Sequence, residues 1–136
     1  MEDKPKVRIY TDGAAEPNPG KGGWAAILLY KGAVRELSGA IDHCTNNYAE
    51  IWAAIKGLEA LKKPCEVVIL SDSKYLVNTI NLRWRRNANL ELWERLEFYC
   101  EKKGHSVTFE WIKGHNGDHW NERANDLAQK HALKRA

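Results

Sequence analysis

The order of apolar and polar positions along the chain predicts nine elements of secondary structure. Residues 7–11 alternate between apolar and polar side chains, which is typical of a strand. Residues 13–23 are rich in Gly, Pro and Asn, and we interpret them as a loop. The apolar run 24–30 and the alternating residues 33–41, separated by a Lys-Gly turn signal, predict two antiparallel strands that continue a meander from the first.

The rest of the chain alternates between helical and strand-like patterns. Thr45 provides an N-cap signal, and apolar residues at helical spacing predict a helix that extends to about Leu61, before Pro64. Residues 67–70 form a continuous apolar run, as expected of a strand buried on both faces. The remaining predicted elements are a short helix over residues 74–80, a helix over residues 90–103 ended by Gly104, a strand over residues 107–112, a loop over residues 113–118, and a helix from about His119 or Asn121 to Leu133.

This order of elements predicts an α/β fold. Three antiparallel strands followed by strands joined through helices imply a mixed five-stranded sheet with helices on its faces. The chain has 136 residues and shows no repeats, linkers or low-complexity segments, so we expect a single domain over residues 1–136.

Composition is that of a soluble globular protein, with 43% hydrophobic and 29% charged residues. The net charge of +3 is compatible with a polyanionic partner. Three cysteines without close pairs predict neither a disulfide framework nor a zinc site, and we expect a reducing, cytoplasmic location. The N-terminal residues do not resemble a signal peptide and no apolar run is long enough to span a membrane, so no membrane association is expected.

Three acidic residues occupy positions that suit a metal site. Asp12 and Asp72 follow apolar strand patterns directly, at predicted strand ends, and Glu50 lies in the first turn of the first long helix. Glu50 shares a helix side with small residues such as Ala53 and Gly57, which would let that side lie close to the sheet. Clustered buried acids repel one another unless a cation or shared proton is present, and oxygen ligands favour Mg²⁺ or Mn²⁺.

Several further motifs occur in the same chain in one fixed order. They are Tyr10-Thr11-Asp12-Gly13, Asn18-Pro19-Gly20 with Gly22-Gly23-Trp24-Ala25, Thr45-Asn46-Asn47 with Glu50, Ser71-Asp72-Ser73, Lys113-Gly114-His115 with Gly117, and Asn121-Glu122 with Ala124 and Leu127-Ala128. With this set, which covers essentially the whole chain, the sequence resembles type 1 ribonuclease H. The resemblance implies a ribonuclease H-like fold and a metal-dependent endoribonuclease that hydrolyses the RNA strand of RNA/DNA hybrids.

The resemblance also implies the chemistry and the partners. It implies catalysis by two metal ions per site, Mg²⁺ with Mn²⁺ as a substitute, that leaves 5′-phosphate and 3′-hydroxyl ends. The expected partner is the RNA/DNA hybrid, with no obligate protein partner, and we expect a monomer. No protein nucleophile is needed, and the sequence carries no activated Ser or Cys motif.

Individual site residues follow from the matched positions. Asp12, Glu50 and Asp72 match metal-binding acids, and His115 matches a loop histidine that assists proton transfer or product release. The positions that match minor-groove contacts are Asn18, Asn46, Asn47 and Lys74, and those that match a pocket for a DNA phosphate are Thr45 and Asn89. Asn amides suit this role because they both donate and accept hydrogen bonds at the 2′-hydroxyls that RNA displays in its minor groove.

The first departure from the family lies near the start of the last helix. The position of the family's fourth carboxylate is occupied by Asn125, and Asp126 follows it. At 100° per residue, Asn125 lies on the flank of the packed side of this helix, whereas Asp126 points nearly the opposite way. We therefore include Asn125 among the catalytic and metal-binding residues and expect weaker binding of one ion.

Two alternatives remain at this point. One is a hybrid-binding module that Asn125 has inactivated or trapped, and the other is a DNA-acting nuclease of the same fold. Binding without hydrolysis at saturating Mn²⁺ would favour the first, and a panel of substrates would distinguish the second.

The second departure is a short basic segment between the second and third helices. Many bacterial members of the family carry a long basic handle there, whereas this chain has only Arg83, Arg85 and Arg86 around Trp84. Arginine and tryptophan suit phosphate contact and base stacking. The same pattern is also typical of a helix end with solvated arginines. The hypothesis is that these arginines bind substrate, more weakly than a full handle.

Overall fold

The computed structural model describes residues 4–101 and 104–133, and they fold in the predicted order of elements. The elements are β1 (Lys6–Glu16), β2 (Gly20–Tyr30), β3 (Ala33–Cys44), α1 (Asn46–Glu59), β4 (Glu66–Ser71), α2 (Lys74–Asn81), α3 (Leu90–Glu101), β5 (Ser106–Trp111) and α4 (His119–Leu133). Residues 102 and 103, the last of the predicted third helix, lie outside the described residues.

The five strands form one mixed sheet in the order β3-β2-β1-β4-β5. The pairs β1–β2 and β2–β3 are antiparallel, whereas β4 runs parallel to both β1 and β5. The predicted α/β class and mixed five-stranded sheet are therefore confirmed. This topology makes β1 the central strand, with β2 and β4 on its two sides.

Strands β1 and β2 are longer than the sequence pattern indicates. The predicted loop 13–23 is mostly a continuation of this hairpin, in which Gly13 pairs with Trp24 and Glu16 with Lys21. The glycines of this segment provide close packing: a Cβ on Gly23 would collide with the backbone of Ala128 in α4. As a result, the prediction that Asp12 ends a strand is wrong, because Asp12 lies inside β1 opposite Ala25.

The two faces of the sheet carry separate apolar cores. Successive residues of a strand point to opposite faces, so Ile9 packs beneath α1 and α3, and Tyr10 packs beneath α4. The larger core includes Trp93 of α3, which is fully buried. The smaller core includes Ala124 and Ala128, whose short side chains let α4 lie close to the sheet. Both helices that border the site are thereby fixed against β1.

Side chains cap the helices that lead into the site. Thr45 Oγ1 accepts a hydrogen bond of 3.1 Å from the Tyr48 N–H, and Ser73 Oγ caps α2 in the same way. At α4, Asp118 Oδ1 accepts from the Asn121 N–H at 3.0 Å. Gly104, after α3, has a φ of 74°, which fits its predicted role at the helix end. Within the described ranges, none of the helices has the length and apolar character needed to cross a membrane.

Candidate active site

Asp12, Glu50 and Asp72 meet at one end of the sheet. Asp12 lies inside β1, Asp72 follows β4, and Glu50 comes from α1, one turn into the helix because the helix begins at Asn46. One carboxylate oxygen from each residue lies within 4.8 Å of the other two. Asp12 and Glu50 are only 3% and 8% exposed, whereas Asp72 is half-buried. The structure thus brings the three predicted metal-binding acids together.

Gly13 makes this close approach possible. A side chain at this position would collide with the backbone of Ala49 and Glu50, so only glycine lets α1 pack directly on β1 here. The predicted small-residue side of α1 is also confirmed, because Ala53 and Gly57 are buried with Glu50 against the sheet. The backbone N–H of Gly13 lowers the pKa of both Asp12 and Glu50, against the effect of burial.

The electrostatics of the acids favour a bound cation. Burial, followed by the charge of Asp72, raises the pKa of Asp12 to about 7. Burial also raises the pKa of Glu50 well above its usual value, and the charges of Asp12 and Asp72 add to this effect. Within the described part of the chain, Glu50 Oε1 is buried without a hydrogen-bond partner. An acceptor oxygen in that situation is suited to ligate a metal ion.

Two amides from α4 contact these carboxylates. Asn125 Nδ2 donates to Asp12 Oδ2 at 2.9 Å, and this bond lowers the pKa of Asp12 against the effect of burial. Asn121, which is 2% exposed, has its Nδ2 at 3.5 Å from Asp72 Oδ2. Asp126 is exposed, as the helical periodicity predicts. Asn125 is therefore the α4 residue that reaches Asp12, and the sequence did not identify Asn121 as a neighbour of the site.

A second surface collects most of the predicted substrate-binding residues. A groove of about 460 Å³ lies between the β1–β2 turn, the start of α1 and the segment before α3. We call it the amide groove; its polar lining consists of Asn18, Thr45, Asn46, Asn47, Tyr75 and Asn89. Of the six predicted residues, only Lys74 does not line this groove. Lys74 instead lies over the ring of Trp111, with its Nζ at 5.1 Å from the ring centroid.

Hydrogen bonds fix the amides of the groove. Asn46 Oδ1 accepts from the Ala15 N–H at 2.7 Å, and Asn18 Oδ1 accepts from the Asn46 N–H at 3.0 Å. Each amide thus has its oxygen engaged by the backbone, and its NH₂ group is the part that can donate to a ligand.

Tyr75 is a residue of the groove that the sequence did not reveal. Its hydroxyl oxygen accepts from Asn89 Nδ2 and from Trp93 Nε1, both at 3.3 Å. Because these two bonds use the oxygen as an acceptor, its own O–H is available to donate into the groove. The only sequence signal is its position beside Lys74 at the start of α2, which does not indicate contact with residues 14 and 18 positions away.

His115 lies in the loop between β5 and α4. It is exposed and has a φ of 55°, in the left-handed region that is uncommon for residues other than Gly. The preceding Gly114 lies against the site, since a Cβ there would stand 2.6 Å from Asp72 Oδ2. The loop therefore holds His115 near the carboxylates without burying it.

The residues of the short basic segment differ in their exposure and in their contacts. The guanidinium of Arg86 forms an ion pair with Glu97 and lies 5.0 Å from the ring centroid of Trp93, so this arginine packs against α3. Arg83, Trp84 and Arg85 are exposed. Arg86 therefore differs from Arg83 and Arg85, because its charge is engaged within the protein, and the hypothesis that the segment binds substrate stays a prediction.

Comparisons with known proteins agree with this geometry. The sequence model of the family described as RNase H matches residues 4–133. The chain is 46% identical over 140 residues to the ribonuclease H of Francisella philomiragia, a match that covers 93% of this chain and 91% of the relative. It is 45% identical over 143 residues to the ribonuclease H of Francisella tularensis subsp. novicida, a match that covers 96% of this chain and 93% of the relative.

Solved structures with similar folds belong to the same family. The N-terminal RNase H domain of a Mycobacterium tuberculosis protein has a TM-score of 0.83 at 29% identity, with 94% of each chain covered. LC11-RNase H1 in complex with an RNA/DNA hybrid has a TM-score of 0.81 at 26% identity, with 91% of this chain and 94% of the other covered. LC9-RNase H1, described as a type 1 RNase H with the type 2 active-site motif, has a TM-score of 0.82 at 26% identity. The match covers 97% of this chain and 74% of the other.

Proposed function

The chain belongs to the RNase H family, and on this premise we propose how its own residues hydrolyse the RNA strand of an RNA/DNA hybrid. It is an enzyme of this family, and the related LC11-RNase H1 has been solved with such a hybrid. The observation that carries the proposal is the meeting of Asp12, Glu50 and Asp72, whose carboxylate oxygens lie within 4.8 Å of one another.

The acids fit a site for divalent cations, which we assign as two Mg²⁺ ions or Mn²⁺ in their place. Asp12, Glu50 and Asp72 would hold the ions through oxygen, and Glu50 Oε1 is a buried acceptor with no partner among the described residues. The amide oxygen of Asn125 would be a neutral fourth ligand. When bound, the ions supply Lewis acidity and favour ionisation of the attacking water.

The site needs no protein nucleophile, because its side chains position charge and do not form a covalent bond with substrate. Asp12 lies on the central strand and is held by a hydrogen bond from Asn125. Attack of water on phosphorus, with departure of the 3′-oxygen, gives products with 5′-phosphate and 3′-hydroxyl ends.

The amide groove supports recognition of the hybrid. The NH₂ groups of Asn18 and Asn46 are donors that can reach sugar hydroxyls and base edges in a wide, shallow minor groove. The 2′-hydroxyl is the group that distinguishes RNA from DNA at such a surface, so these amides favour a strand of RNA next to the carboxylates.

The side of the amide groove formed by Thr45, Tyr75 and Asn89 supports binding of a phosphate on the DNA strand. Thr45 Oγ1 accepts from the Tyr48 N–H, and Tyr75 Oη accepts from Asn89 and Trp93. Each hydroxyl group therefore has its own proton available to donate to a ligand, and a phosphate oxygen is an acceptor that fits two such donors. We assign Thr45, Tyr75 and Asn89 to this phosphate contact.

His115 is assigned to proton transfer or product release beside the carboxylates. The Gly114 backbone lies close to Asp72, and the exposed imidazole can exchange protons with solvent. Lys74 has a different role from the residues of the amide groove. We assign it as a cation near Asp72 that approaches the nucleic acid backbone from the side of Trp111.

A comparison of substrates tests the proposal. We expect cleavage of an RNA/DNA hybrid in Mg²⁺ or Mn²⁺ with 5′-phosphate products, and no cleavage of duplex DNA of the same sequence. Hybrid binding without hydrolysis at saturating Mn²⁺ would instead favour a binding module, and cleavage of duplex DNA would favour a DNA-acting nuclease.

A further inference from the structure

Asp72 differs from the other two acids in how its side chain is held. Asp12 lies inside β1 and Glu50 inside α1, so regular secondary structure fixes their backbones, and both residues are buried. Asp72 lies in the short turn between β4 and α2 and is only half-buried. A side chain in such a turn has more than one rotamer open to it, so contacts from other segments decide where the Asp72 carboxylate lies.

The segment from β5 to α4 provides these contacts. Trp111 Nε1 donates to the backbone oxygen of Asp72 at 3.1 Å, which holds the turn against the end of β5. A Cβ on Gly114 would stand 2.6 Å from Asp72 Oδ2, so the backbone of the loop lies directly beside that oxygen. Asn121 Nδ2 lies 3.5 Å from the same oxygen, at the long end of the range for a hydrogen bond. The loop and α4 therefore meet at Asp72 Oδ2.

The fold holds the side chain of Asn121 in place. Asn121 is buried, and its backbone N–H donates to Asp118 Oδ1 at 3.0 Å at the start of α4. The fully buried Ala124 and Ala128 pack the same helix on the sheet. A buried amide NH₂ group without an acceptor would destabilise the protein, and Asp72 Oδ2 is an acceptor within reach. The amide of Asn121 is therefore fixed in an orientation that faces Asp72.

Asn121 and Asn125 form a pair on one side of α4. They are four residues apart, which places both side chains on the same face of the helix, about 6 Å apart along its axis. Asn125 Nδ2 donates to Asp12 Oδ2 at 2.9 Å, whereas Asn121 Nδ2 contacts Asp72. One helix thus holds an amide against each of two acids, and its geometry sets where the two carboxylates lie relative to each other.

We propose that Asn121 is a positioning residue, whose amide holds the Asp72 carboxylate in the orientation that brings it to Asp12 and Glu50. The proposal rests on the metal-dependent function proposed above. An amide suits this task, because it donates to a carboxylate without adding a further negative charge to the acidic cluster. Asn121 acts through Asp72, so its loss lowers metal binding and the rate of hydrolysis together. The affinity for the hybrid, which the amide groove supports, is retained.

Direct titration with Mn²⁺ in the absence of nucleic acid tests the proposal independently of catalysis. Asn121→Leu removes the amide and leaves a side chain of similar size. By calorimetry, we expect at least about tenfold weaker binding of Mn²⁺. With an RNA/DNA hybrid as substrate, we expect kcat to fall at least about tenfold and KM for the hybrid to change less than about twofold.

Asn81→Leu is the matched control for the loss of an amide hydrogen bond. Asn81 Nδ2 donates to the Phe109 backbone oxygen at 2.8 Å, at the end of α2 away from Asp72. We expect unchanged Mn²⁺ binding and unchanged kcat for this variant. Asn121→Ser is measured in parallel, because Leu at a buried polar position can itself prevent folding. Serine is too short to reach Asp72 and is expected to weaken Mn²⁺ binding as Leu does. Urea unfolding in chelator establishes that each variant is folded.

The Mn²⁺ titrations decide the role of Asn121. The proposal is overturned if a folded Asn121 variant binds Mn²⁺ as tightly as the unsubstituted protein. It is also overturned if Asn81→Leu weakens binding equally, since the amide of Asn121 would then contribute only to stability. If the unsubstituted protein binds Mn²⁺ but does not cleave the hybrid, the proposed function fails, and the titrations still test Asn121. Absence of Mn²⁺ binding by the unsubstituted protein would overturn both.

Discussion

The side-chain amide of Asn125 donates a hydrogen bond of 2.9 Å to Asp12 Oδ2, so α4 meets the central strand at the acidic cluster. A carboxylate at position 125 could not donate in this way and would add a fourth negative charge to three that already repel. The amide therefore stabilises the site in the absence of metal, at the cost of one charge that would attract a cation.

Asn125→Asp is expected to shift the balance between stability and metal binding. In chelator, the variant should unfold more easily by about 1–3 kcal/mol, because a hydrogen bond to a buried carboxylate is replaced by repulsion. In the cleavage assay it should reach half-maximal activity at lower Mg²⁺ or Mn²⁺ concentration. Equal metal dependence of the two proteins would contradict a role for Asn125 in binding the ions.

The stability of the metal-free protein should fall as the pH rises from about 4 to 7. The pKa of Asp12 is raised to about 7 in the folded state, above about 3.9 in an unfolded chain, so the native state binds the proton more tightly. Protonation of Asp12 therefore contributes on the order of a few kcal/mol to the free energy of unfolding. This contribution is complete below pH 4 and is lost as the pH rises through 7. Urea unfolding in chelator measures the pH dependence of the free energy of unfolding. Asp12→Asn is the reference, because it removes the carboxylate that causes this dependence. If the difference in free energy of unfolding between the two proteins did not vary over this pH range, the raised pKa of Asp12 would be contradicted.

Tyr75→Phe should weaken binding of the hybrid about fivefold, because one donor to a phosphate is lost. The binding constant is measured in Ca²⁺ or chelator, where cleavage does not interfere. Tyr99→Phe is the matched control, since the Tyr99 hydroxyl donates to Glu59 on the other side of α1. Equal affinities for the two variants would remove Tyr75 from the phosphate contact.

The arginines of the short basic segment are expected to differ in their effects. Replacing Arg83 and Arg85 by Gln should reduce the slope of log affinity against log salt concentration by about 1 to 2, if each contacts one phosphate. Arg86→Gln should mainly lower the free energy of unfolding, because Arg86 pairs with Glu97 and packs on Trp93. An unchanged salt dependence in the Arg83 and Arg85 variant would show that these two side chains do not bind substrate.

Local patterns were sufficient to predict the helices and much of the site. The small residues around Glu50 correctly indicated the side of α1 that faces the sheet, and helical periodicity correctly separated Asn125 from the exposed Asp126. Both predictions use only the spacing of residues along one helix.

Features that depend on contacts between distant segments could not be predicted. The glycines of residues 20–23 are part of a strand because Cys44 and α4 pack against them, which no local pattern reveals. The hydroxyl of Tyr75 is contacted by Asn89 and Trp93, which lie 14 and 18 positions further along the chain. In each case, the tertiary fold brings together residues that have no shared sequence signal.

Cleavage of an RNA/DNA hybrid by Asp12→Asn tests the central claim most directly. Asp12 lies on the central strand, accepts a hydrogen bond from Asn125 of α4 and belongs to the acidic cluster, so its loss should lower kcat at least about 100-fold in Mg²⁺ and in Mn²⁺. Asp126→Asn makes the same chemical change at an exposed position of α4 and should leave activity unchanged. Substantial residual cleavage by Asp12→Asn, comparable to that of Asp126→Asn, would contradict the account.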